Sequence, residues 1–376
     1  MADQETSKEP ARKSLDELRM AIDRIDDGIL DLLNERARTV QEVGRVKEKA
    51  SEPFYDQGRE KRIVERLRER NTGPFPQEGL RAIFREIISA SRSLEAPMTI
   101  CYLGPEATFT HAAAIRHFGK SSQYVPMKRV EDIFAEVEKG NAHFGVLPIE
   151  NSTEGVVHRT VDLFLDSPLQ ICAEICVNIQ HNLLSRAELK SIKRIYSHPQ
   201  AFAQCRNWIA QNLPWAEILP TASTAQGVRD ALKEPDGAAI ASELAATIYG
   251  LPVVVRSIED SAWNQTRFVV VGSHYPEPTG NDKTSSIIFL KDEPGALFRA
   301  LRPFEIYGIN LCGIESRPSR REAWKYMFYI DFEGHVDDPQ VIKAFEELEK
   351  HALYAKVLGS YPRDAGILRA EEIRED

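Results

Sequence analysis

The sequence predicts a multidomain chain: an all-α N-terminal part, a two-lobed α/β middle and an α+β, ferredoxin-like C-terminal part. Three observations predict it. Apolar residues recur at helical spacings of three and four at the N-terminal end. Beyond Pro97, short apolar runs alternate with helical stretches. The last part reads strand–helix–strand–strand–helix–strand. At 376 residues the chain is long for one core. The expected divisions are a disordered N-terminus (1–13), a helical domain (14–96), an α/β domain (97–276), a C-terminal domain (284–362) and a tail (363–376).

Hydrophobic residues make up 42% and charged residues 28%, as in ordinary soluble globular proteins. No apolar run approaches the roughly 18 residues of a bilayer span, and MADQETSKEPARKS has no signal-peptide apolar core. Five scattered cysteines, with Cys172 and Cys176 spaced CxxxC, form neither a disulfide framework nor a zinc pattern. A reducing cytosol is therefore the expected compartment. The net charge of −9 argues against nucleic acid as a partner, and an anionic substrate would need cations gathered locally. Neither GxGxxG nor GxxxxGK(S/T) occurs, and the nine histidines lack metal-ligand spacing. No cofactor and no metal are expected.

Ser14-Leu-Asp-Glu17 is a capping box. Leu18, Ile22, Ile25, Ile29 and Leu32 follow as a helical stripe, which continues through Arg36, Val40, Val43 and Lys47. With no proline before Pro53, one helix of about 35 residues, roughly 50 Å long, is predicted. Such a stripe cannot be buried within a compact monomeric segment of this length, so a partner chain is expected, most simply in a two-fold dimer. Arg36 and Lys47 occupy inward positions on one face, roughly 16 Å apart. Inward charges pair within the chain, snorkel toward a helix end or meet an anion. Two more amphipathic stretches follow. Arg59 to Arg68 carries Ile63 and Leu67; Leu80 to Leu94 carries Ile83, Phe84, Ile87 and Ile88, and Ser91 and Glu95 extend its stripe.

These residues resemble the all-helical chorismate mutases. Leu18-Arg19, Asn34-Glu-Arg36, Val43-Gly44-Arg45-Val46-Lys47 and Asp56-x-x-Arg59-Glu60 match in order and spacing, across residues 14–95. The resemblance implies that Arg19, Arg36, Lys47, Asp56, Arg59, Glu60, Ser91 and Glu95 form a site for dianionic chorismate. It also implies an intertwined dimer in which Arg19 serves the neighbouring subunit. Arg19, Arg36 and Arg59 would grip carboxylates, while Lys47 and a protonated Glu95 would donate to the ether oxygen. Many bacterial relatives carry glutamine where this chain has Glu95.

In the middle of the chain, strands at Thr99 to Leu103, Phe144 to Ile149, Ile195-Tyr196, Ile218-Leu219 and Ala238 to Ala241 each lead through Ser or Thr into a helix. Serine and threonine are preferred N-caps, which is the plain reading of any one of them. As a set they would line the crevice where strand ends and helix N-termini meet, suited to an anion. The stretch NQTRFVVVG (264–272) adds a β-branched run entered through polar residues, read plainly as an edge strand with a solvated start.

GPEATFT, PIENSTEG, SHPQAF, TAST and NQTRF, in that order across residues 99 to 273, resemble prephenate dehydratase, with its two-lobed, periplasmic-binding-protein-like fold. The resemblance implies that Thr266 supplies or relays a proton as water leaves prephenate. It implies substrate contacts by Thr108, Thr110, Asn151, Ser152, Ser223, Thr224 and Arg267. Arg267 is open to two roles, carboxylate anchor or structural ion pair. The family usually has glycine where Ala107 stands.

In the C-terminal part, Glu293-Pro-Gly-Ala-Leu297 and Glu315-Ser-Arg-Pro318 resemble the phenylalanine-binding motifs of ACT regulatory domains. The resemblance implies effector contacts by Gly295, Ala296, Leu297, Asn310, Glu315, Ser316 and Arg317. The plain alternative is a Pro-Gly helix start and a surface salt bridge at Arg317. The chain is thus expected to act on chorismate and prephenate under inhibition by phenylalanine, as a homodimer or higher homo-oligomer, with neither nucleic acid nor membrane as partner. A dehydratase with an inactive mutase-like domain, and a non-catalytic sensor, are the rival readings.

Overall fold

The computed structural model describes residues 14–50, 57–95, 97–153, 155–261, 263–318 and 326–364. The expected N-terminal arm and nearly all of the expected tail lie outside them.

Helices α1 (Leu15–Ala50), α2 (Gln57–Arg70) and α3 (Gln77–Glu95) form the first unit. The capping box closes as its spacing requires: the Ser14 N–H donates to Glu17 Oε2 at 2.7 Å, and the Glu17 N–H to Ser14 Oγ at 3.2 Å. At 36 residues α1 is about 54 Å long. Its C-terminal half packs on α3 across Gly44, where a Cβ would stand 2.8 Å from Glu95 Cγ. Its N-terminal half has no such cover among the described residues. Leu18, Ile22, Ile25, Ile29 and Leu32 are 45–66% exposed.

The middle unit has two lobes. The first contains β1 (Thr99–Leu103), α4 (Phe109–Phe118), β2 (Gln123–Met127), α5 (Val130–Glu138), β3 (Phe144–Asn151), β4 (Gly155–Val156), α6 (His158–Leu163) and β5 (Gln170–Asn178). The second contains β6 (Asn182–Ser185), β7 (Arg194–Ser197), α7 (Pro199–Gln204), α8 (Arg206–Asn212), β8 (Glu217–Pro220), α9 (Thr224–Ala231), β9 (Gly237–Ala241), α10 (Glu243–Tyr249) and β10 (Val253–Val255). The chain then returns to the first lobe as β11 (Gln265–Gly272). Sheet orders are β2-β1-β3-β11-β5 and β10-β6-β9-β7-β8. Both sheets are mixed: β11 runs antiparallel to β3 and β5, and β6 antiparallel to β9 and β10.

The edge-strand reading of NQTRFVVVG is corrected here. β11 lies between β3 and β5 and is buried from Thr266 onward. Its polar entrance is covered by neighbouring side chains rather than by water. The helix expected after the strand at Ile195-Tyr196 is likewise two, α7 and α8, with the break at Cys205.

The last unit comprises β12 (Asp282–Leu290), α11 (Ala296–Ile306), β13 (Leu311–Pro318), β14 (Tyr326–Glu333), α12 (Pro339–Glu349) and β15 (Ala352–Pro362). The antiparallel order β13-β14-β12-β15 is the ferredoxin-like arrangement predicted. Its sheet packs on the first lobe. One hydrophobic cluster joins Leu147, Ile171 and Val269 to Ile287, Met327 and Tyr361. The two units share a core.

Candidate active site

Helical periodicity brings the inward charges of the first unit together. Arg36 of α1 donates to Ser91 Oγ of α3, and that hydroxyl donates onward to the Ile87 carbonyl at 2.6 Å. Burial lowers the Arg36 pKa, and the charge of Glu60 on α2 offsets this in part. Lys47 Nζ lies 3.6 Å from Glu95 Oε1, with both side chains largely buried. Arg36 and Arg59 line a cavity of about 430 Å³ walled by Val40, Val43, Ile63, Leu67 and Phe84. Arg66 also lines it, although the sequence reading passed over that residue; its spacing from Arg59 and Ile63 is the helical signal that could have found it. Arg19 stands apart, exposed beside Asp16 at 3.4 Å. Seventeen residues of helix separate it from Arg36, roughly 26 Å along one axis, so it does not join this cluster within its own chain. Asp56 lies outside the described residues.

At the carboxyl edge of the first-lobe sheet, antiparallel register sets Thr266 opposite Asn151 and Arg267 opposite Glu150. Strand alternation then sends the two pairs to opposite faces. On one face, Asn151 Oδ1 accepts from the Thr153 N–H at 3.0 Å and from its hydroxyl. This fixes the amide orientation, because only the oxygen can accept from a backbone N–H. Asn151 Nδ2 therefore donates to Thr266 Oγ1 at 2.8 Å and to Asn264 Oδ1 at 3.1 Å. Thr266 is 9% exposed and its oxygen is an acceptor in this network, so its own proton is left for another group. Ser152, on the adjacent turn, ties β3 to the entrance of β11 instead: its Oγ accepts from the Gln265 N–H at 2.9 Å and donates to the Trp263 carbonyl at 3.1 Å. Asn264 is 3% exposed, and its Nδ2 has no hydrogen-bond partner among the described residues.

On the opposite face, Arg267 is 8% exposed in a buried ionic cluster. Its Nε donates to Glu174 at 2.9 Å, its Nη1 to Glu150 at 3.2 Å and to Asp331, and its Nη2 to the Tyr361 hydroxyl at 2.7 Å. Lys283 joins Glu174 at 2.8 Å. Asp331, Tyr361 and Lys283 come from the C-terminal unit. Of the two roles open to Arg267, the ion pair is the one made here, and it ties the first lobe to the C-terminal unit. The residues that hold it lie far along the chain and gave no local signal.

The junction hydroxyls divide in the same way. Thr108 and Ser223 accept from the third N–H of α4 and α9, at 3.4 and 3.0 Å, and so cap those helices; Thr224 opens α9, and Thr110 is buried within α4. Ala107 has φ +67°, a conformation that glycine adopts without strain, and its methyl is buried among Leu184, Ala225, Val228 and Ala245 of the second lobe. Its carbonyl accepts from Ser242 Oγ at 3.3 Å. The glycine-to-alanine departure thus lies where the two lobes touch.

In the last unit, Gly295 takes φ +78° immediately before α11, with Ala296 buried and Leu297 packed on the core. Glu315, Ser316 and Arg317 lie on the outer strand β13, and Asn310 is exposed just before it. Arg317 reaches the middle unit, donating to the His158 carbonyl at 3.1 Å and pairing with Asp162 of α6. Its salt bridge joins two units. Among the described residues, no group of His, Cys, Asp or Glu is placed to hold a metal ion, and no helix is long and apolar enough to cross a membrane.

A helical unit with inward cations, a two-lobed unit with a hydroxyl–amide cluster and a ferredoxin-like module define a multidomain protein with two separate candidate sites. The comparisons give the same order. Residues 18–96 match the family model for chorismate mutase type II, 100–276 that for prephenate dehydratase, and 286–350 that for the ACT domain. The bifunctional chorismate mutase/prephenate dehydratase of Aquifex aeolicus is 47% identical over 356 residues, covering 93% of this chain and 98% of that protein. Its counterpart in Stutzerimonas stutzeri is 45% identical over 92% of this chain and 97% of its own length. A crystal structure of prephenate dehydratase from Arthrobacter aurescens in complex with L-Phe, 37% identical, superposes with a TM-score of 0.65 over 73% of this chain and 94% of its own. The chain belongs to the family of bifunctional chorismate mutase/prephenate dehydratases.

Proposed function

We propose that the helical unit rearranges chorismate to prephenate at the Arg36–Lys47–Glu60–Ser91–Glu95 cluster. The middle unit then converts prephenate to phenylpyruvate at Thr266, and phenylalanine acts through the ACT domain to inhibit. The observation that supports this most strongly is the hydrogen-bond direction at Thr266, whose oxygen accepts from Asn151 and whose proton is left to donate.

In the first reaction the ether C–O bond breaks as a C–C bond forms, with no proton or electron exchanged with the protein. Catalysis reduces to holding the reactive conformer and stabilising charge on the ether oxygen. Arg36 and Arg59 pair with carboxylates, and Lys47, held beside Glu95, faces the oxygen. In the second, the ring hydroxyl leaves as water after taking a proton relayed by Thr266. The bond to the ring carboxylate supplies the electron pair that completes the aromatic ring, and carbon dioxide departs. Asn151 spends both amide hydrogens on Thr266 and Asn264 and so positions the hydroxyl, while Asn264 Nδ2 is left to offer its hydrogens to the substrate.

The exposed stripe on α1 supports a dimer in which each α1 covers its counterpart and brings Arg19 to the partner's site. The effector reading rests on Gly295 and β13, and on the Arg317–Asp162 bridge that would carry a change in the ACT domain to α6. The cytosol is the proposed compartment. The test is to incubate the purified chain with chorismate and follow prephenate and phenylpyruvate with and without phenylalanine. Phenylpyruvate should accumulate, and phenylalanine should suppress it; supplied prephenate left unconverted would overturn the reading.

A further inference from the structure

Arg92 has no place in either site as described, yet it is 5% exposed and charged. It lies on α3 between Ser91 and Glu95, four residues after the buried Ile88. Its guanidinium is divided between two units. Nη1 donates to Glu60 Oε1 of α2 at 2.6 Å, and Nη2 donates to the Phe118 carbonyl, the last residue of α4, also at 2.6 Å. The same group lies 5.7 Å from the Phe118 ring centroid. Ser89 Oγ, one turn back on α3, donates to the same carbonyl at 2.8 Å. The fit is close: a Cβ at Gly119 would stand 2.4 Å from that of Ser89.

Both ends of this contact lead to a site. Glu60 belongs to the mutase cluster and lies near enough to Arg36 to act on its charge. Phe118 belongs to the same first-lobe core cluster as Tyr102. Tyr102 stacks on His111 with centroids 4.5 Å apart, and His111 Nδ1 accepts from the Ala107 N–H at 3.2 Å in the loop that meets the second lobe. Helix α4 therefore has one end fixed by the mutase helix and the other at the dehydratase crevice. An apolar side chain would pack these helices at no charge-burial cost, and replacing buried ion pairs by apolar groups is often neutral or stabilising. What the guanidinium adds is a planar fork that sets a carboxylate and a carbonyl in fixed relation, which a lysine cannot do.

We propose that Arg92 is a positioning residue that holds Glu60 for chorismate and couples the mutase site to the dehydratase crevice through α4. The proposal rests on the two-site reading above. The test uses the full chain as wild type, Arg92→Lys, Arg92→Met, Glu60→Gln and the Glu60→Gln/Arg92→Met double variant. Mutase kcat and KM for chorismate, and dehydratase KM for supplied prephenate, are measured beside thermal unfolding. Both Arg92 variants should raise the chorismate KM about five-fold or more with a smaller change in kcat, because ground-state placement is what is lost. Arg92→Lys should give no rescue, since one ammonium cannot span both acceptors. Adding Arg92→Met to Glu60→Gln should change the mutase KM little further. The prephenate KM should shift about two-fold in the Arg92 variants. Additive effects of the pair, or a folded Arg92→Met or Arg92→Lys chain with wild-type chorismate KM, would overturn the positioning role. A mutase effect with an unmoved prephenate KM would overturn the coupling. Wild-type chain that leaves chorismate unconverted would instead remove the two-site reading itself. Should Arg92→Met fail to fold, Arg92→Lys decides.

Discussion

Asp331→Ala removes one carboxylate from the buried junction between the ACT domain and the dehydratase lobe. The cluster holds two cations, Arg267 and Lys283, against two fully buried carboxylates, Glu174 and Asp331. Glu150 contributes a third, but its side chain is 44% exposed and its charge is screened. The substitution leaves a surplus buried cation, and breaking a buried pair in this way costs about 3–5 kcal/mol, a large part of a domain's typical stability. Burial pushes the Asp331 carboxyl up, but Arg267 and Lys283 outweigh it and hold its pKa below the ordinary value. Its stabilisation is therefore present above the unfolded pKa and lost as pH falls through the lowered folded value. Because Arg267 adjoins Thr266 on β11, dehydratase turnover should fall with stability. Urea unfolding near neutral pH, followed by circular dichroism and by dehydratase activity, reads the effect. The compensating variant Asp331→Asn/Lys283→Met restores charge balance and should be less destabilised than the two single variants summed. A midpoint shift worth less than about 1 kcal/mol for Asp331→Ala, or strict additivity in the double variant, would refute the accounting.

Two further outcomes follow from titratable groups. Glu95 lies 3.6 Å from Lys47, and glutamine in its place keeps a polar group of the same shape that can donate a hydrogen bond; Glu95→Gln should retain more mutase kcat than Glu95→Ala, which should lose about ten-fold or more, and equal kcat in the two would remove Glu95 from the site. His117 is pushed down to about 4, by burial first and then by the charge of Arg92. Between that value and the model-peptide 6.5, the unfolded chain binds a proton that the folded chain does not, so stability falls as pH drops through this window. His117→Gln should reduce the slope of unfolding free energy against pH there by up to about 1.4 kcal/mol per pH unit, and an unchanged slope would show that His117 titrates normally.

The sequence carried the architecture because its signals are local. The capping box, the α1 stripe and the strand-to-helix hydroxyls are all read within a few residues. Inward charges at Arg36 and Lys47 were legible for the same reason, and the spacing of Phe84, Ile88 and Arg92 would have exposed Arg92 in the same way. What escaped was set by distance along the chain. Arg267 meets Glu174, Asp331 and Tyr361, which lie 93, 64 and 94 residues away. A polar entrance to β11 therefore looked solvated, when Asn151 covers Thr266 and the C-terminal unit covers Arg267. Strand β5 gave no alternation because it is buried on both faces and carries Glu174 inside. Ala107 was legible as a departure from glycine, but its positive φ and its packing on the second lobe were not.

The central claim is that two separate sites act in sequence, and reciprocal inactivation tests it most directly. Arg36→Ala and Thr266→Val are each assayed on chorismate and on supplied prephenate, with folding checked by circular dichroism. Arg36→Ala should lower mutase turnover by about a hundred-fold or more, consistent with losing about 3 kcal/mol of charge stabilisation, while dehydratase activity stays within a few-fold of wild type. Thr266→Val keeps the shape and removes the hydroxyl, so dehydratase turnover should collapse while mutase activity persists. Equal loss of both activities in either folded variant, or Thr266→Val turnover within about two-fold of wild type, would contradict the account.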